Sequence, residues 1–454
     1  MNTTGSTSQT RKVLVVGLGA SGRAVCQLLL RQGHEVIATD MNDLASFDSS
    51  IKDLQDKGCR LRLGGHRRED FVNAAQIIVS PGVPLDLEEL RHAAGQGVEI
   101  IGELEWSWRQ VKRPTIAITG TNGKTTTTSL VGEILNASGR QAFVGGNIGT
   151  PLSQWLLGNQ EADLLVLEVS SFQLDTAPTF RPDVGVLLNI SEDHLDRYSS
   201  FQAYVDSKLS LFLHQMPEDV AILNMDDPEC YKNRSRVPSR LLTFSRRFPD
   251  AHAFCQDGLM SVQIPGKQRL ELDLRHCALQ GPHNEENIMA AVLVCAVLGA
   301  PRATIEQVLN RYRGLPHRLE RVRTWHGIAF YDDSKGTNVG AVVKALENFS
   351  QPVWLLAGGR DKQGSYAPLA DPIRAKVRGL FLYGEAGPRL YDELGQLVPS
   401  ELLNNLEDAF NRAVAQAGAG DVILLSPACS SFDQYASYAQ RGDHFKRLVN
   451  ELAG

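Results

Sequence analysis

Short apolar, β-branched runs alternate along this chain with longer stretches of helical period, and that alternation leaves few architectures open. Strands buried on both faces read as continuous hydrophobic runs, and parallel neighbours need a long crossover between them, so the pattern predicts parallel sheets covered by helices. It begins three times. A first set holds 12–17, 35–40, 76–80 and 98–102. A second opens at 114–120 and continues through 163–169, 184–190 and 220–224, with an amphipathic stretch at 126–138. A third holds 328–332, 352–357, 379–383 and 421–426. Breaks near Arg113 and Arg313 separate the sets, so the expected fold class is α/β in three domains, over 1–112, 113–313 and 314–454, the first and last Rossmann-like. A chain of 454 residues supports that number at roughly 150 residues per domain. Residues 240–279, with short alternating segments between turn residues, predict a small antiparallel patch inside the middle domain.

Two glycine-bearing segments carry the chemistry. Gly17-Leu18-Gly19-Ala20-Ser21-Gly22 follows an apolar run and opens a helical stretch, where backbone amides and a helix N-terminus bind phosphate. Asp40 ends the next run, where a carboxylate can accept a ribose hydroxyl. These glycines report a pyrophosphate and leave NAD and other nucleotides equally open, with a plain tight turn as the non-functional alternative. Ser80-Pro81-Gly82-Val83 follows another strand and belongs to the same sheet edge.

The sharper signal is Gly120-Thr121-Asn122-Gly123-Lys124-Thr125-Thr126, set between an apolar run and a helical stretch. Glycines let successive N–H groups converge on phosphate oxygens, Lys124 neutralises β/γ charge, and the Thr125 hydroxyl can reach magnesium. The general P-loop spacing asks for glycine five positions before Gly123, where Ile118 stands, yet the setting still predicts a P-loop-type, ATP-binding parallel sheet as the central domain. Glu168 ends a later strand of that sheet, where a carboxylate commonly faces a phosphate loop across magnesium. His194, in Asn189-Ile190-Ser191-Glu192-Asp193-His194-Leu195-Asp196-Arg197-Tyr198, can ligate metal or orient a substrate. Lys208 lies in an amphipathic run, where a surface lysine is the ordinary reading.

Charge and cysteine usage narrow the partners. Fifty-two acidic residues against 46 basic ones, with no long block of either sign, argue against a nucleic-acid groove and favour small molecules. Seven scattered cysteines without a CxxC pair indicate neither a zinc site nor a disulfide framework and fit a reducing compartment. The Ser/Thr-rich first ten residues lack the apolar stretch of a signal peptide, and no apolar run approaches membrane-spanning length. The expectation is a cytoplasmic protein without membrane insertion.

Five segments together resemble the Mur ligase family, whose superfamily includes the folylpolyglutamate synthetases. They are the loop 120–126, the segment 189–198, Gly281-Pro282-His283-Asn284-Glu285-Glu286-Asn287, Leu315-Pro316-His317-Arg318-Leu319-Glu320, and Asp332-Asp333-Ser334-Lys335-Gly336-Thr337-Asn338. The opening residues 13–19 and the closing Ser426-Pro427-Ala428-Cys429-Ser430-Ser431-Phe432-Asp433-Gln434-Tyr435 look like the branch that adds D-glutamate to UDP-N-acetylmuramoyl-L-alanine. An Asp-Asn-Pro-Arg signature, expected of the diaminopimelate-adding relatives, is missing from the sequence.

The resemblance implies an ATP- and Mg2+-dependent ligase of peptidoglycan synthesis, acting as a monomer. It assigns the UDP-linked acceptor to Gly19, Ala20, Ser21, Gly22, Asp40, Ser80 and Gly82, with Asn147 and His194 at its muramoyl end, which turns the first domain away from NAD. ATP falls to residues 120–126, Asn284, Asn287, Arg318 and Asp333. Metal falls to Thr125, Glu168, His194 and Lys208 as a carbamate, with Lys124, His194 and Lys208 as the catalytic set. The incoming amino acid falls to Lys335, Thr337, Lys362, Ser431, Phe432 and Tyr438. Arg360 and Tyr438 depart from the family's usual residues at their positions. Competing readings are a relative that adds another amino acid, an NAD-dependent oxidoreductase, and a nucleotide-switched binding protein.

Overall fold

The computed structural model describes residues 11–453 apart from 49, 159, 194–196, 278, 280 and 362–363. Three sheets succeed one another along the chain, and in each the apolar runs form adjacent strands. The first holds β1 (Lys12–Val16), β2 (Glu35–Asp40), β3 (Arg60–Leu63), β4 (Gln76–Val79) and β5 (Glu99–Gly102) in the order β3-β2-β1-β4-β5. Every pairing in it is parallel. The chain leaves β1 in one direction and returns on its other side, so the carboxyl ends of β1 and β4 form the crevice where open α/β sheets bind ligands.

The second sheet holds β6 (Thr115–Thr119), β7 (Ala142–Gly146), β8 (Leu164–Glu168), β9 (Val184–Leu187), β10 (Val220–Asn224), β11 (Arg240–Ser245), β12 (Ala253–Gln256), β13 (Leu259–Val262) and β14 (Leu270–Asp273). Its order is β14-β13-β12-β11-β10-β9-β6-β8-β7, which sets β6 between β8 and β9. The predicted antiparallel patch is smaller than its sequence span. Both β11 and β12 pair parallel to their predecessors, and only β12, β13 and β14 run antiparallel. The β12–β14 hairpins extend the main sheet rather than forming a separate one, because β12 pairs with β11, which keeps its ladder with β10.

The third sheet holds β15 (Glu320–Trp325), β16 (Ile328–Asp332), β17 (Val353–Gly358), β18 (Val377–Tyr383), β19 (Ser400–Leu402) and β20 (Val422–Ala428) in the order β15-β16-β20-β17-β18-β19. Only its edge strand β15 is antiparallel. Each sheet is buried on both faces, as continuous apolar runs require: Ile116 and Ile118 of β6 enter one core while Ala117 enters the opposite one. The seven cysteines are all free and buried. None of the described helices is long and apolar enough to cross a membrane.

The first two sheets are joined through the helix Glu103–Trp108. The Glu103 carboxylate accepts the Ser153 N–H at 2.7 Å, and the Gly102 N–H meets the Thr176 carbonyl at 2.7 Å. The third unit meets the second through side chains: Arg318 on Thr125, Asn338 on Asn122 and Asp193, and Asn348 on His283.

Candidate active site

The loop 120–126 leaves β6 and enters the helix Lys124–Ala137. Gly123, at φ 85°, precedes the helix, and a Cβ there would lie 2.2 Å from Asn287 Oδ1. The left-handed backbone and the missing side chain therefore let the loop lie directly on the helix Pro282–Val297. Asn189, beyond β9, clamps the loop from the other side. Its Oδ1 accepts the Asn122 N–H at 2.8 Å, and its Nδ2 donates to the Asn122 carbonyl at 3.1 Å. Thr121 donates its hydroxyl to the Ser191 carbonyl at 3.2 Å and accepts the Ser191 N–H at 3.0 Å. Lys124 Nζ folds back onto the Gly120 and Thr121 carbonyls at 2.7 and 2.8 Å.

Strand order brings Glu168 to this loop, because β8 is the immediate neighbour of β6. Glu168 is buried; its Oε1 accepts Asn147 Nδ2 at 2.7 Å and its Oε2 has no hydrogen-bond partner. A buried carboxylate oxygen without a donor is costly unless a cation approaches it, and beside a phosphate loop a magnesium ion fits that need. Asn147, assigned by resemblance to the acceptor, thus braces the candidate metal carboxylate.

The surface reading of Lys208 is overturned. Its side chain is 1% exposed, with Nζ 3.0 Å from the Gly120 carbonyl and 4.6 Å from the centroid of the Tyr204 ring. Helical period turns this face of Phe201–Leu209 inward, onto the loop. Burial, reinforced by the charge of nearby Lys124, holds the Lys208 amine well below the usual lysine range. His194, the third member of the expected metal set, lies outside the described residues.

From the third unit, Arg318 reaches the Thr125 hydroxyl. Asp333, beyond β16, accepts the Ser426 hydroxyl at 2.7 Å and the Leu319 N–H at 3.2 Å. Burial pushes its carboxyl up to about 7, against the opposing pull of Ser426 and Arg318. Asn122, Gly123, Asn284, Asn287, Arg318 and Asp333 line one open cleft between the second and third units. The expected nucleotide residues of two separate sheets are thereby brought together.

The amino-acid set is only partly assembled. Lys335 Nζ sits 3.8 Å from the centroid of the Tyr438 ring, Ser431 is buried, and Phe432 is 61% exposed. Thr337 closes the tight turn after Asp333, its N–H on the Lys335 carbonyl at 2.8 Å. Lys362 lies outside the described residues.

In the first unit, Gly17 takes φ 90°, and a Cβ on Gly22 would lie 1.9 Å from the Gly17 carbonyl oxygen, so these two glycines serve the turn and the close packing of helix on strand. Gly19 and Gly82 meet nothing within 4 Å and leave room for a ligand. Ala20 and Ser21 open the helix Ala20–Arg31. Asp40 accepts the Leu18 N–H at 2.7 Å on one oxygen and the Asn42 N–H at 2.9 Å on the other, bracing the loop whatever it offers a ribose. Ser80 donates to the Gly17 carbonyl at 2.9 Å.

Several residues at the site have no role assigned to them by the sequence motifs. Arg197 joins the second unit to the first, donating to the Val83 carbonyl at 2.6 Å beside the Ser80 turn. Arg441 is fully buried and donates to the carbonyls of Ser334 and Cys429 at 3.0 Å and of Gly358 and Ser430 at 3.3 Å, tying together the loops that carry Lys335 and Ser431. An arginine in an amphipathic helix carries no sequence signal for such a place. Asn338 did carry one, as a capping residue before an apolar periodic run.

The sequence profile of the Mur ligase middle domain matches residues 118–295, that of the MurD-like N-terminal domain 11–102, and that of the Mur ligase glutamate ligase domain 317–429. The UDP-N-acetylmuramoylalanine–D-glutamate ligase of Geotalea daltonii is 46% identical over 445 residues, 98% of each chain. That of Desulfosudis oleivorans is 44% identical over 446 residues, 98% of this chain and 97% of its own. Among solved structures, a pseudomurein peptide ligase type C from Methanothermus fervidus superposes with a TM-score of 0.63 at 19% identity, covering 98% of this chain and 100% of its own. The MurF ligase of Thermotoga maritima in complex with ADP gives 0.61 at 17% identity, covering 99% and 97%.

Proposed function

The chain belongs to the Mur ligase family, and from that premise we propose that it joins D-glutamate to UDP-N-acetylmuramoyl-L-alanine at the expense of ATP, in the cytoplasm, for peptidoglycan synthesis. The observation that carries the reading is the convergence of residues from two sheets on one cleft: the loop 120–126 and Asn287 from the second, Arg318 and Asp333 from the third. A dinucleotide oxidoreductase would leave all of these idle. A protein that merely switches on nucleotide would have no use for the acceptor crevice of the first unit.

A carboxylate resists attack by an amine because it would have to expel oxide. The acceptor carboxylate therefore attacks the γ-phosphorus of ATP, forming an acyl phosphate and releasing ADP; the amine then adds to the carbonyl carbon and phosphate leaves. Lys124, released from its loop carbonyls, meets the charge on the transferring phosphoryl oxygens, and the loop amides hold the phosphates. Arg318 and Asp333 reach the nucleotide from the third unit, and Asn284 and Asn287 border its base. Thr125 and Glu168 would hold magnesium, which supplies charge neutralisation at the phosphates. Burial and the charge of Lys124 disfavour the Lys208 ammonium, and the free amine is the form that adds carbon dioxide to give a carbamate and a proton. Such a carbamate would turn a buried cation into an anionic oxygen ligand beside Glu168. Lys335, Thr337, Ser431, Phe432, Tyr438 and Lys362 would receive the dicarboxylate, whose two charged ends need cations and hydroxyls. Orienting three substrates in one site can contribute roughly 7–11 kcal/mol to lowering the barrier.

An amino-acid panel tests the reading by coupled ADP release with the UDP-linked acceptor present. D-Glutamate is expected to give stoichiometric ADP and phosphate, with none when either acid is omitted. Turnover with another amino acid in preference would replace D-glutamate in the reading, and ADP release independent of both acids would overturn the ligase assignment.

A further inference from the structure

We propose that Asn338 is a latch that fixes the orientation of the third unit on the second, a positioning residue for the amide-forming step; the proposal rests on the ligase reading above. Asn338 is buried between the turn that follows β16 and the helix Val339–Glu347. Its Oδ1 caps that helix, accepting the Ala341 N–H at 2.8 Å. Its Nδ2 lies 3.1 Å from Asp193 Oδ2 and 3.3 Å from Asn122 Oδ1. One planar amide thus ends a helix of the third unit while donating into two segments of the second, the phosphate loop and the stretch that leads to His194. Capping needs only the oxygen, and Asp or Ser would supply it equally well. The donors are surplus to capping, and asparagine provides them on the same group.

Gly340, in the first turn of the same helix, is a second and independent observation. A Cβ there would lie 3.0 Å from Ser191 Oγ and 3.3 Å from Asn122 Nδ2, so the helix start abuts the middle unit with no side chain between. Among the described residues the other hydrogen-bonded joints between these units, Arg318 on Thr125 and Asn348 on His283, each involve a residue of the nucleotide cleft, which Asn122 also lines. Asn338 borders a different hollow, walled by Ser191 and Asp193 on one side and by Asp361 and Tyr366 on the other. Arg318 and Asn348 alone would leave the third unit free to rock about the nucleotide cleft. An attachment that reaches Asp193, outside the lining of that cleft, removes the motion and sets the distance from the amine to the acyl phosphate.

Asn338→Asp tests this, because aspartate keeps the cap but loses the donors and adds like charge beside Asp193. With the melting temperature unchanged, kcat is expected to fall about 10- to 100-fold, the scale of an ångström of misplacement. The KM for D-glutamate should rise, while those for ATP and the acceptor stay near wild type. Amide hydrogen exchange, measured with ADP bound, should quicken at 189–193 while 339–343, whose cap is kept, stays near wild type; a purely capping role would leave both segments unchanged. If Asn338→Asp lowers the melting temperature, Asn338→Ser, which keeps a shorter cap, is judged by the same criteria. Wild-type kcat together with unchanged exchange at 189–193 overturns the latch. Failure of the wild-type chain to use D-glutamate would overturn the ligase reading instead, and the exchange comparison would still decide the latch.

Discussion

An ammonium at Lys208's position is under stress from two sides, buried away from water and within the field of Lys124. Conversion to the proposed carbamate would relieve both, since the group would then carry the opposite charge and could serve a bound magnesium. Lys208→Ala is expected to lower turnover by at least about 100-fold, the scale set by removing one preorganised charge-stabilising group. A small carboxylate such as acetate should restore part of the activity by supplying the missing anionic oxygen, and ADP release measured with and without it checks this. Lys208→Arg should stay inactive under the same rescue, because a guanidinium fills the space with fixed positive charge. Full activity of Lys208→Ala without added acid would return Lys208 to a packing role. The lysine illustrates how far one residue can be read from sequence: its place in an amphipathic run was visible, but which face of that run is covered depends on the loop 120–126 lying over it.

At the scale of single elements, the first glycine loop separates fold from ligand. Gly22→Ala would drive a methyl group into the Gly17 carbonyl, which is backbone and cannot move aside cheaply. A loss of about 1–3 kcal/mol in stability is expected, measurable by denaturant unfolding, together with weakened acceptor binding. Gly19→Ala should fold like the wild type, since its φ of −64° suits any residue and its Cβ meets nothing, yet it should raise the acceptor's KM far more than that for ATP. Equal effects of Gly19→Ala on both substrates would mean that the crevice at β1 and β4 does not hold the acceptor. The motif's spacing was plain in the sequence; the assignment of Gly22 to packing and Gly19 to open space needed the approach of the helix Ala20–Arg31 to β1.

Across the whole molecule the joint between the first two units differs in kind from the joint to the third. Glu103 is buried and receives the Ser153 N–H, acting as a cap from one unit on the helix Leu152–Leu157 of the next. Its side chain also accepts the Ser107 hydroxyl at 3.3 Å. Glu103→Ala would leave both donors without a partner in a dry interface, a loss of roughly 1–3 kcal/mol. Thermal unfolding should register it. If the joint sets how the acceptor is presented to the phosphate loop, the acceptor's KM should also rise while that for ATP holds; a variant with unchanged stability and kinetics would show that the joint is maintained elsewhere. The third unit, whose hydrogen bonds to the second run between side chains among the described residues, is the part whose orientation one residue such as Asn338 can decide.

Local chemistry is written in short segments, and the sequence by itself determined most of it: three α/β units, both glycine loops, the carboxylate Glu168 at a strand end, and the motifs that resemble the Mur ligases. Each of these depends on periodicity or on neighbours a few positions apart, which any reader of the chain can see. Short edge strands such as β3 and β19 carried too few apolar residues to stand out, and the parallel pairing of β11 could not be told from a hairpin until β10 lay beside it. Tertiary structure alone decided that Lys208 is buried on Gly120, that Arg441 gathers four carbonyls, that Asn147 braces Glu168, and that Asn338 joins two units. Those facts come from residues 11 to 216 positions apart, and the order of strands in each sheet and the docking of the units bring such pairs within a hydrogen bond's reach.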